Sequence, residues 1–447
     1  MLDLPIARDL SRWEFFEKTL LVAVVIDLAL GGNGYLVKIG PFRVREVLFV
    51  VCMAWVIARL TKINPIRLDR NILIISGAFF VVTAFDAALG YFNGSRFGAI
   101  VAELKPLGYF PMLLFFLVAI RTRYDLRLVA SVLVVCGTLV ASLYLLLLLS
   151  AKVGIFSYSG IFETLRFSDE FIFRNNPSQG GVFVGFLYKG AFYISIAALF
   201  LMFDPFRITK VLAAVTVVAT AMTVTRGLCL ALIVSIVCGV VLQRRWRRMP
   251  LLLGQAGLLL AVLLVAQQAE TRLLISTGDF SRETHGSPDP IKDPVSPSLL
   301  EGIQRPTDSY RTEDIKFVAR ELDFSMATIG RGLGSPIRGR ERIEITYLEI
   351  FYKQGILGLA VWLALFLYIL HLYLATPRQV KDVALAYFLA ALFVFVATAS
   401  NTFLTGSIGM GVVFISTASL LVLSREDPRD TSGSPWYSRY LSGTFRM

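Results

Sequence analysis

The chain has 447 residues, of which 56% are hydrophobic and only 17% are charged, and its mean hydropathy is +0.68. An average soluble domain carries about 25% charged residues. The composition therefore excludes a soluble globular enzyme, a disordered chain and a fibrous repeat, and it predicts a protein embedded mainly in lipid. The formal net charge of +12 does not indicate a nucleic-acid partner, because basic residues collect in the cytoplasmic loops of membrane proteins.

A helix that spans a membrane needs about 20 apolar residues, because each residue adds about 1.5 Å and the hydrocarbon core is about 30 Å thick. In chain order, twelve apolar segments approach or exceed this length. They are residues 19–37, 45–60, 71–91, 98–120, 128–150, 180–203, 208–224, 228–243, 250–267, 348–374, 383–400 and 405–424. The predicted fold class is therefore all-α, a polytopic membrane protein with about 12 transmembrane helices and one large loop between spans 9 and 10.

The basic residues indicate the orientation of the chain. They are frequent in alternate loops, as in the run QRRWRR at residues 243–248, and sparse in the loops between. By the positive-inside rule both termini are cytoplasmic, and the large loop lies on the opposite side. The predicted organisation is transmembrane helices 1–9 in residues 1–267, the loop in 268–347, helices 10–12 in 348–424 and a cytoplasmic tail in 425–447.

The large loop has two parts. Residues 276–308 are polar and contain five prolines, a pattern typical of irregular chain. Residues 309–323 place apolar side chains at three- and four-residue spacing, which predicts an amphipathic helix capped by Asp308 or Ser309. A glycine-rich turn, IGRGLG, and the basic run RGRER at residues 338–342 follow before the chain re-enters the membrane.

The sequence lacks the usual signatures of a metal site or a cofactor site. It has no HExxH motif, Cys/His cluster, phosphate-binding loop or nucleophile elbow, and its two histidines lie apart from other polar clusters. Its cysteines fall inside apolar segments and are predicted to be small core residues (Cys52, Cys136, Cys229 and Cys238). We therefore predict no metal ion and no cofactor, so that any chemistry rests on Arg, Lys, Glu, Asp, Tyr and Asn.

Two arginines near the outer surface are candidate ligands for an anion, because a guanidinium offers fixed pairs of donors to phosphate oxygens. Arg226 lies in TVTRG between two apolar runs, and its alternative role is to snorkel at a helix end. Arg311 is predicted in the first turn of the loop helix, where backbone N–H groups also favour an anion. Its alternative role is a surface ion pair with Glu313 or Asp314.

Glu344 lies where the large loop re-enters the membrane, and Tyr347 shares its helix face by the i, i+3 spacing. A carboxylate at such a mouth is a candidate general base. The alternative is an ion pair between Glu344 and Arg340 or Arg342.

Lys105 and Lys189 lie within predicted spans, a turn or two below the outer surface. A charge inside a membrane costs about 3 kcal/mol unless it is paired. The two lysines are therefore predicted to face a substrate cavity or a partner, and the candidate partners are Glu103, Asp27 and Asp86.

Four segments, taken in order, resemble those of one family, the O-antigen ligase and polymerase family of bacterial envelope glycan enzymes. Residues 173–186, FRNNPSQGGVFVGF, are similar to its Asn-Pro motif, and residues 223–232, TVTRGLCLAL, are similar to its S/T-R-G segment. Residues 309–322, SYRTEDIKFVAREL, with the following IGRGLG, resemble its loop arginine, helix and glycine turn. Residues 347–359, YLEIFYKQGILGL, resemble its re-entry segment, and the whole resemblance covers roughly residues 170–370.

The resemblance implies an all-helical bundle in the bacterial inner membrane with one large periplasmic loop. It implies a glycan on undecaprenyl diphosphate as the substrate, with Arg226 and Arg311 as the ligands of the diphosphate and Glu344 as the base. The basic run would steer or cover the anionic carrier. The expected substrate-binding residues are Lys105, Lys189, Asn176, Tyr347, Arg338 and Arg340.

The family's ligases usually carry a histidine at the position of Glu344, so the resemblance favours polymerisation over ligation. The predicted function is a polymerase of lipid-linked repeat units of the exopolysaccharide or O-antigen type, by inverting, metal-independent glycosyl transfer at the periplasmic face. The expected partners are the lipid-linked glycan and membrane lipids, with a chain-length-regulating co-polymerase as a candidate. Two alternatives stay open: an O-antigen ligase with another acceptor and, from a different class, a polysaccharide or lipid transporter or flippase.

Overall fold

The computed structural model describes the chain in several stretches. They are residues 12–31, 38–39, 42–62, 69–153, 155, 191–203, 207–223, 225–243, 254, 257, 261, 306–340, 342–343 and 345–425. Within these stretches the chain is almost entirely α-helical, apart from turns and one antiparallel pair of two-residue strands, β1 Lys38–Ile39 and β2 Phe42–Arg43.

The helices follow the apolar segments of the sequence. They are α1 Arg12–Gly31, α2 Val44–Lys62, α3 Arg70–Phe92, α4 Phe97–Leu107, α5 Met112–Ala119, α6 Arg123–Lys152, α7 Ala191–Phe203, α8 Arg207–Met222, α9 Arg226–Gln243, α10 Pro306–Arg320, α11 Phe324–Ile329, α12 Thr346–Ala375, α13 Lys381–Ala397 and α14 Ser407–Ser424. The predicted all-α fold class is confirmed for the described residues.

Six segments of the described chain are long and apolar enough to cross a membrane. They are Arg70–Phe92, Phe97–Ala119, Arg123–Ser150, Arg226–Gln243, Thr346–Ala375 and Ser407–Ser424. The chain is therefore a multi-pass membrane protein, whereas the total of twelve spans and the position of the large loop stay predictions. The ninth predicted span, 250–267, lies outside the described residues except for 254, 257 and 261.

The centre of the bundle is formed by α7, α13 and α14, which are buried around nearly their whole circumference. Helix α13 packs on α7, α9, α12 and α14, and α7 packs on α6 and α8. Helices α3 and α6 expose much of their apolar surface, as lipid requires of the outer helices of a bundle. The predicted core cysteines are confirmed as free thiols, three of them buried and Cys238 half-buried.

Two of the candidate spans are not continuous helices. Helices α4 and α5 are separated by residues 108–111, just after Pro106, which has no backbone N–H to donate. Helix α12 is interrupted at Gly355, whose φ is +62°. The spans predicted over 98–120 and 348–374 correspond to two of these candidate spans, but hydropathy alone does not register a break in the backbone.

The amphipathic helix of the loop begins earlier than predicted. Helix α10 starts at Pro306, whose fixed φ and missing N–H suit the first position of a helix. A cap at Asp308 or Ser309 is therefore wrong, and Arg311 lies in the second turn instead of the first. Helix α10 ends at Arg320, and a second short helix, α11, follows.

Helix α11 begins at a cap formed by Asp323, whose Oδ1 accepts a hydrogen bond from the amide of Met326 at 2.6 Å. Asp323 also pairs with Arg331, at 2.9 Å between Oδ2 and Nη2. The Met326 amide, together with the Arg331 guanidinium, holds the pKa of Asp323 below its usual value. This cap ties the start of α11 to the glycine-rich turn.

Candidate active site

The turn between α13 and α14, residues 398–406, is where three separate elements of the chain meet. Arg311 of α10 donates a hydrogen bond from Nη2 to the carbonyl oxygen of Ser400, at 3.2 Å. Gly227 in the first turn of α9 lies against Ser400 so closely that an added Cβ would be 1.8 Å from its Oγ. Thr346 at the start of α12 donates from Oγ1 to the carbonyl oxygen of Asn401, at 2.9 Å.

These contacts bring the two predicted anion ligands to one place. Arg226 is the first residue of α9 and precedes Gly227, while Arg311 reaches the same turn from α10. Arg226 is exposed and Arg311 is half-buried. Because α9 also begins here, its N-terminal amides add positive potential beside the Arg311 guanidinium. The arrangement suits an anion with several oxygens, such as a diphosphate.

Three of the predicted site residues, Glu344, Asn176 and Lys189, lie outside the described residues. Thr346, two residues after Glu344 in the sequence, is bonded to Asn401 in the 398–406 turn. The role of Glu344 as a base, and those of the other two residues in binding, stay predictions.

Tyr347 lies in the first turn of α12 and is half-buried. Its hydroxyl donates a 2.6 Å hydrogen bond to the carbonyl oxygen of Phe395 in α13. The side chain therefore joins α12 to α13, and its predicted role in substrate binding stays a prediction.

The basic run is attached to α10. Arg338 contacts Glu313, at 2.5 Å between Nη1 and Oε2, and Arg340 forms an ion pair with the buried carboxylate of Asp314. The Arg340 guanidinium also lies over the ring of Tyr310, 5.6 Å from its centre. Both arginines are partly exposed, and these contacts fix their segment against the loop helix.

Lys105 has a carboxylate partner, as expected, but the partner is not one of the expected acids. Its Nζ lies 2.7 Å from Oε1 of Glu46, and 61% of its side chain is exposed. None of the three expected acids is this partner, since Asp27 pairs with Arg45 at 2.7 Å and Glu103 pairs elsewhere. Lys105 thus contacts α2, and this partner was not predicted because the side of a helix on which a residue lies is hard to predict when the helix is apolar all round.

A buried ionic cluster, which the sequence analysis does not identify, surrounds Lys353 of α12. Lys353 Nζ lies 2.6 Å from Glu103 Oε1 and 2.9 Å from Glu349 Oε1, and only 3% of the lysine side chain is exposed. The second oxygen of Glu103 accepts a 2.9 Å hydrogen bond from the amide of Gly334. The i, i+4 pair of Glu349 and Lys353 in an apolar segment was a usable signal, because buried charges in membrane helices are almost always paired.

The glycine-rich turn is inserted between α3, α4 and α12. The amides of Arg331, Gly332 and Leu333 donate to the carbonyl oxygens of Tyr352, Lys353 and Asp86, each at 2.9 Å. Gly332 has a φ of +86°, and a Cβ there would lie 2.2 Å from the amide nitrogen of Gly90. The motif that resembles the family's glycine turn thus anchors the loop to the membrane helices.

In the described part of the chain, no group of three or more His, Cys, Asp and Glu side chains converges in a way that would hold a metal ion.

No protein-family model matches the sequence. The chain is 23% identical, over 422 residues, to a protein of Shigella flexneri named O-antigen polymerase. The alignment covers 92% of this chain and 96% of the Shigella protein.

This similarity supports assignment of the chain to the O-antigen polymerase and ligase family. The family resemblance predicted from four segments is therefore confirmed. The alignment extends well beyond those segments, which cover less than half of the chain.

Proposed function

We propose that the protein polymerises oligosaccharide repeat units carried on undecaprenyl diphosphate, as a glycosyltransferase at the periplasmic face of the bacterial inner membrane. The observation that carries this proposal is the convergence of the Arg226 and Arg311 elements on Ser400. Two guanidinium groups next to a helix N-terminus match the charge and the oxygen pattern of a diphosphate. The full-length similarity to a protein named O-antigen polymerase supports the reaction class.

In the proposed reaction, the glycosidic C1–O bond to the diphosphate breaks while an acceptor sugar hydroxyl attacks C1. Arg226 and Arg311 stabilise the negative charge that grows on the departing diphosphate. Glu344 takes the proton of the attacking hydroxyl. Attack from the side opposite to the leaving group inverts the anomeric configuration. The guanidinium groups supply the positive charge, so the reaction as proposed needs no metal ion.

The test is an elongation assay with purified protein in lipid vesicles and lipid-linked repeat units from a mutant of the source bacterium that lacks this protein. We expect a ladder of longer lipid-linked glycans that also forms in the presence of EDTA. Single units that stay unchanged would reject the polymerase proposal. Transfer of the glycan to an acceptor other than a repeat unit would identify a ligase instead.

A further inference from the structure

A small cavity with a mostly apolar wall lies next to the candidate active site. Its charged and polar lining residues are Glu103, Arg342, Glu349, Lys353, Gln354 and Thr405. Thr405 belongs to the 398–406 turn, whose Ser400 accepts the hydrogen bond from Arg311. The cavity and the two arginines are thus joined by one turn.

Glu349 is the residue of this cavity that indicates a bound ligand. It is 8% exposed, and its Oε1 is bound by Lys353. Its Oε2 has no hydrogen-bond partner among the described residues. An unsatisfied carboxylate oxygen in a buried position is costly, so this atom is available to accept a hydrogen bond from a donor that enters the cavity. Glu103 differs, because both of its oxygens are satisfied, by Lys353 and by the amide of Gly334.

The chemistry of the wall matches the edge of a sugar. Glu349 offers an acceptor, Arg342 offers donors, and Thr405 and Gln354 offer both. Leu107, Leu333 and Ile350 supply an apolar side that suits the C–H groups of a pyranose. Glu349 lies three residues after Thr346, about 4.5 Å along the axis of α12 from the contact with Asn401. A sugar here would be close to a diphosphate held by the two arginines.

We propose that this cavity binds the hydroxyl-bearing edge of one sugar of the lipid-linked glycan, with Glu349 Oε2 accepting a hydrogen bond from a sugar hydroxyl. The inference rests on the proposed function, since it names a binding residue for the same substrate. In this role Glu349 selects repeat units that carry a hydroxyl donor at the matching position. A sugar that lacks this hydroxyl leaves the carboxylate unsatisfied and is rejected.

The test compares Glu349→Gln with Glu17→Gln in the elongation assay. Each substitution removes a buried carboxylate from an ion pair, that of Glu349 with Lys353 and that of Glu17 with Arg59 at 3.0 Å, so both lower the melting temperature. We expect Glu349→Gln to raise the apparent KM for lipid-linked repeat units about tenfold, the effect of weakening one hydrogen bond to a charged group. Glu17→Gln, whose residue does not line the cavity, should leave this KM within about twofold of wild type.

A second variant, Glu349→Asp, keeps the charge beside Lys353 but withdraws the oxygens by one methylene group. It should raise the KM while the melting temperature stays closer to wild type than that of Glu349→Gln. A KM that is unchanged in both Glu349 variants, or that rises equally in Glu17→Gln, would overturn the proposal. Absence of elongation by the wild-type protein would instead reject the proposed function, and the inference with it.

Discussion

Ser400 is the residue that both Arg311 and the start of α9 contact in the candidate site. Its carbonyl oxygen accepts a hydrogen bond from Arg311, and its side chain lies against Gly227. A side chain at position 227 would push Arg226 away from this turn. The smallest residue therefore follows Arg226 because the backbone of α9 must approach the 398–406 turn closely.

Replacing either arginine of the pair should strongly reduce elongation. We expect Arg226→Ala and Arg311→Ala each to lower kcat/KM by about 10- to 100-fold, because each removes one of the two charge-assisted contacts that we propose to the diphosphate. Lysine at either position should restore only part of the activity, since it lacks the paired donors of a guanidinium. The measurement is the rate of elongation of lipid-linked repeat units.

The matched control is Arg425→Gln. Arg425 is half-exposed and pairs with Asp69, at 3.2 Å, so its substitution removes one arginine and one surface ion pair away from the candidate site. Its effect on elongation should be less than about twofold, as is usual for a surface pair. Equal losses in all three variants would contradict a specific role for Arg226 and Arg311.

Glu344→Gln should retain folding and lose most of the elongation rate. A general base contributes about 100- to 10,000-fold to a rate, so kcat should fall by at least about 100-fold while binding of the lipid-linked unit is kept. The measurements are kcat and the binding of labelled repeat units. Glu321→Gln, at an exposed position of the loop, is the control and should keep full activity. Full activity in Glu344→Gln would remove the base assignment.

Sequence patterns identified candidate site residues more readily than they identified the residues that contact them. The family resemblance implied a common role for Arg226 and Arg311, and the segments that carry them meet at Ser400. That role stays a prediction. The directions of Lys105 and Lys353 did not follow, since both lie in helices that are apolar on every side. Lys105 faces outward to Glu46, and Lys353 is enclosed by two carboxylates. Only the packing of neighbouring helices decides between these outcomes.

At the scale of elements, the glycine-rich turn and the break in α12 fit one another. Gly330 approaches Lys353, and Gly355 approaches Thr328, each within a distance that a Cβ would not allow. The break at Gly355 interrupts the hydrogen bonding of the helix, and carbonyl groups just before it accept from the turn. Backbone groups at membrane depth must be satisfied within the protein, and the turn does so here.

Gly332→Ala should destabilise the protein by at least about 2 kcal/mol, because the residue has a positive φ and an added Cβ would collide with the backbone of Gly90. Gly339→Ala is the control. Gly339 also has a positive φ, of +76°, but nothing lies within 4 Å of an added Cβ, so only about 1 kcal/mol of backbone strain is expected. Melting temperatures in detergent measure the difference, and equal shifts would contradict the role of close packing.

Helix boundaries were predicted accurately in some segments and missed in others. Helix α3 extends over Arg70–Phe92 where residues 71–91 were predicted, because a lipid environment imposes a simple requirement on length and polarity. The start of α10 was missed, because Pro306 reads equally well as the last proline of an irregular segment or as the first residue of a helix. The break at Gly355 was missed since glycines are common in membrane helices.

At the scale of the whole molecule, one candidate span, α12, separates the loop helix α10 from residues 376–380, which connect α12 to α13. The predicted orientation places α10 in the periplasm and residues 376–380 in the cytoplasm. The contacts agree with a candidate site at one end of the helix bundle, the periplasmic end in the predicted orientation. The start of α9, the loop helix α10 and the start of α12 all contact the 398–406 turn.

Cysteine labelling tests this orientation. Lys316→Cys, on the exposed side of α10, should react with a membrane-impermeant maleimide in cells whose outer membrane alone is permeable. Arg378→Cys, exposed between α12 and α13, should react only after the inner membrane is opened. The wild-type protein, with three of its four thiols buried, supplies the background. Labelling of both positions from the same side would contradict the predicted topology.

The insertion of the glycine-rich turn into the bundle also limits how this protein can be recombined with its relatives. Its amides pair with α12, α3 and Glu103 of α4, so these four parts share one set of hydrogen bonds. A chimaera that exchanges the loop alone would replace the amide donors of the turn while keeping their acceptors in α3, α4 and α12. Grafting of substrate preference between this protein and its relatives should therefore succeed only when the loop, α3, α4 and the first half of α12 are transferred together.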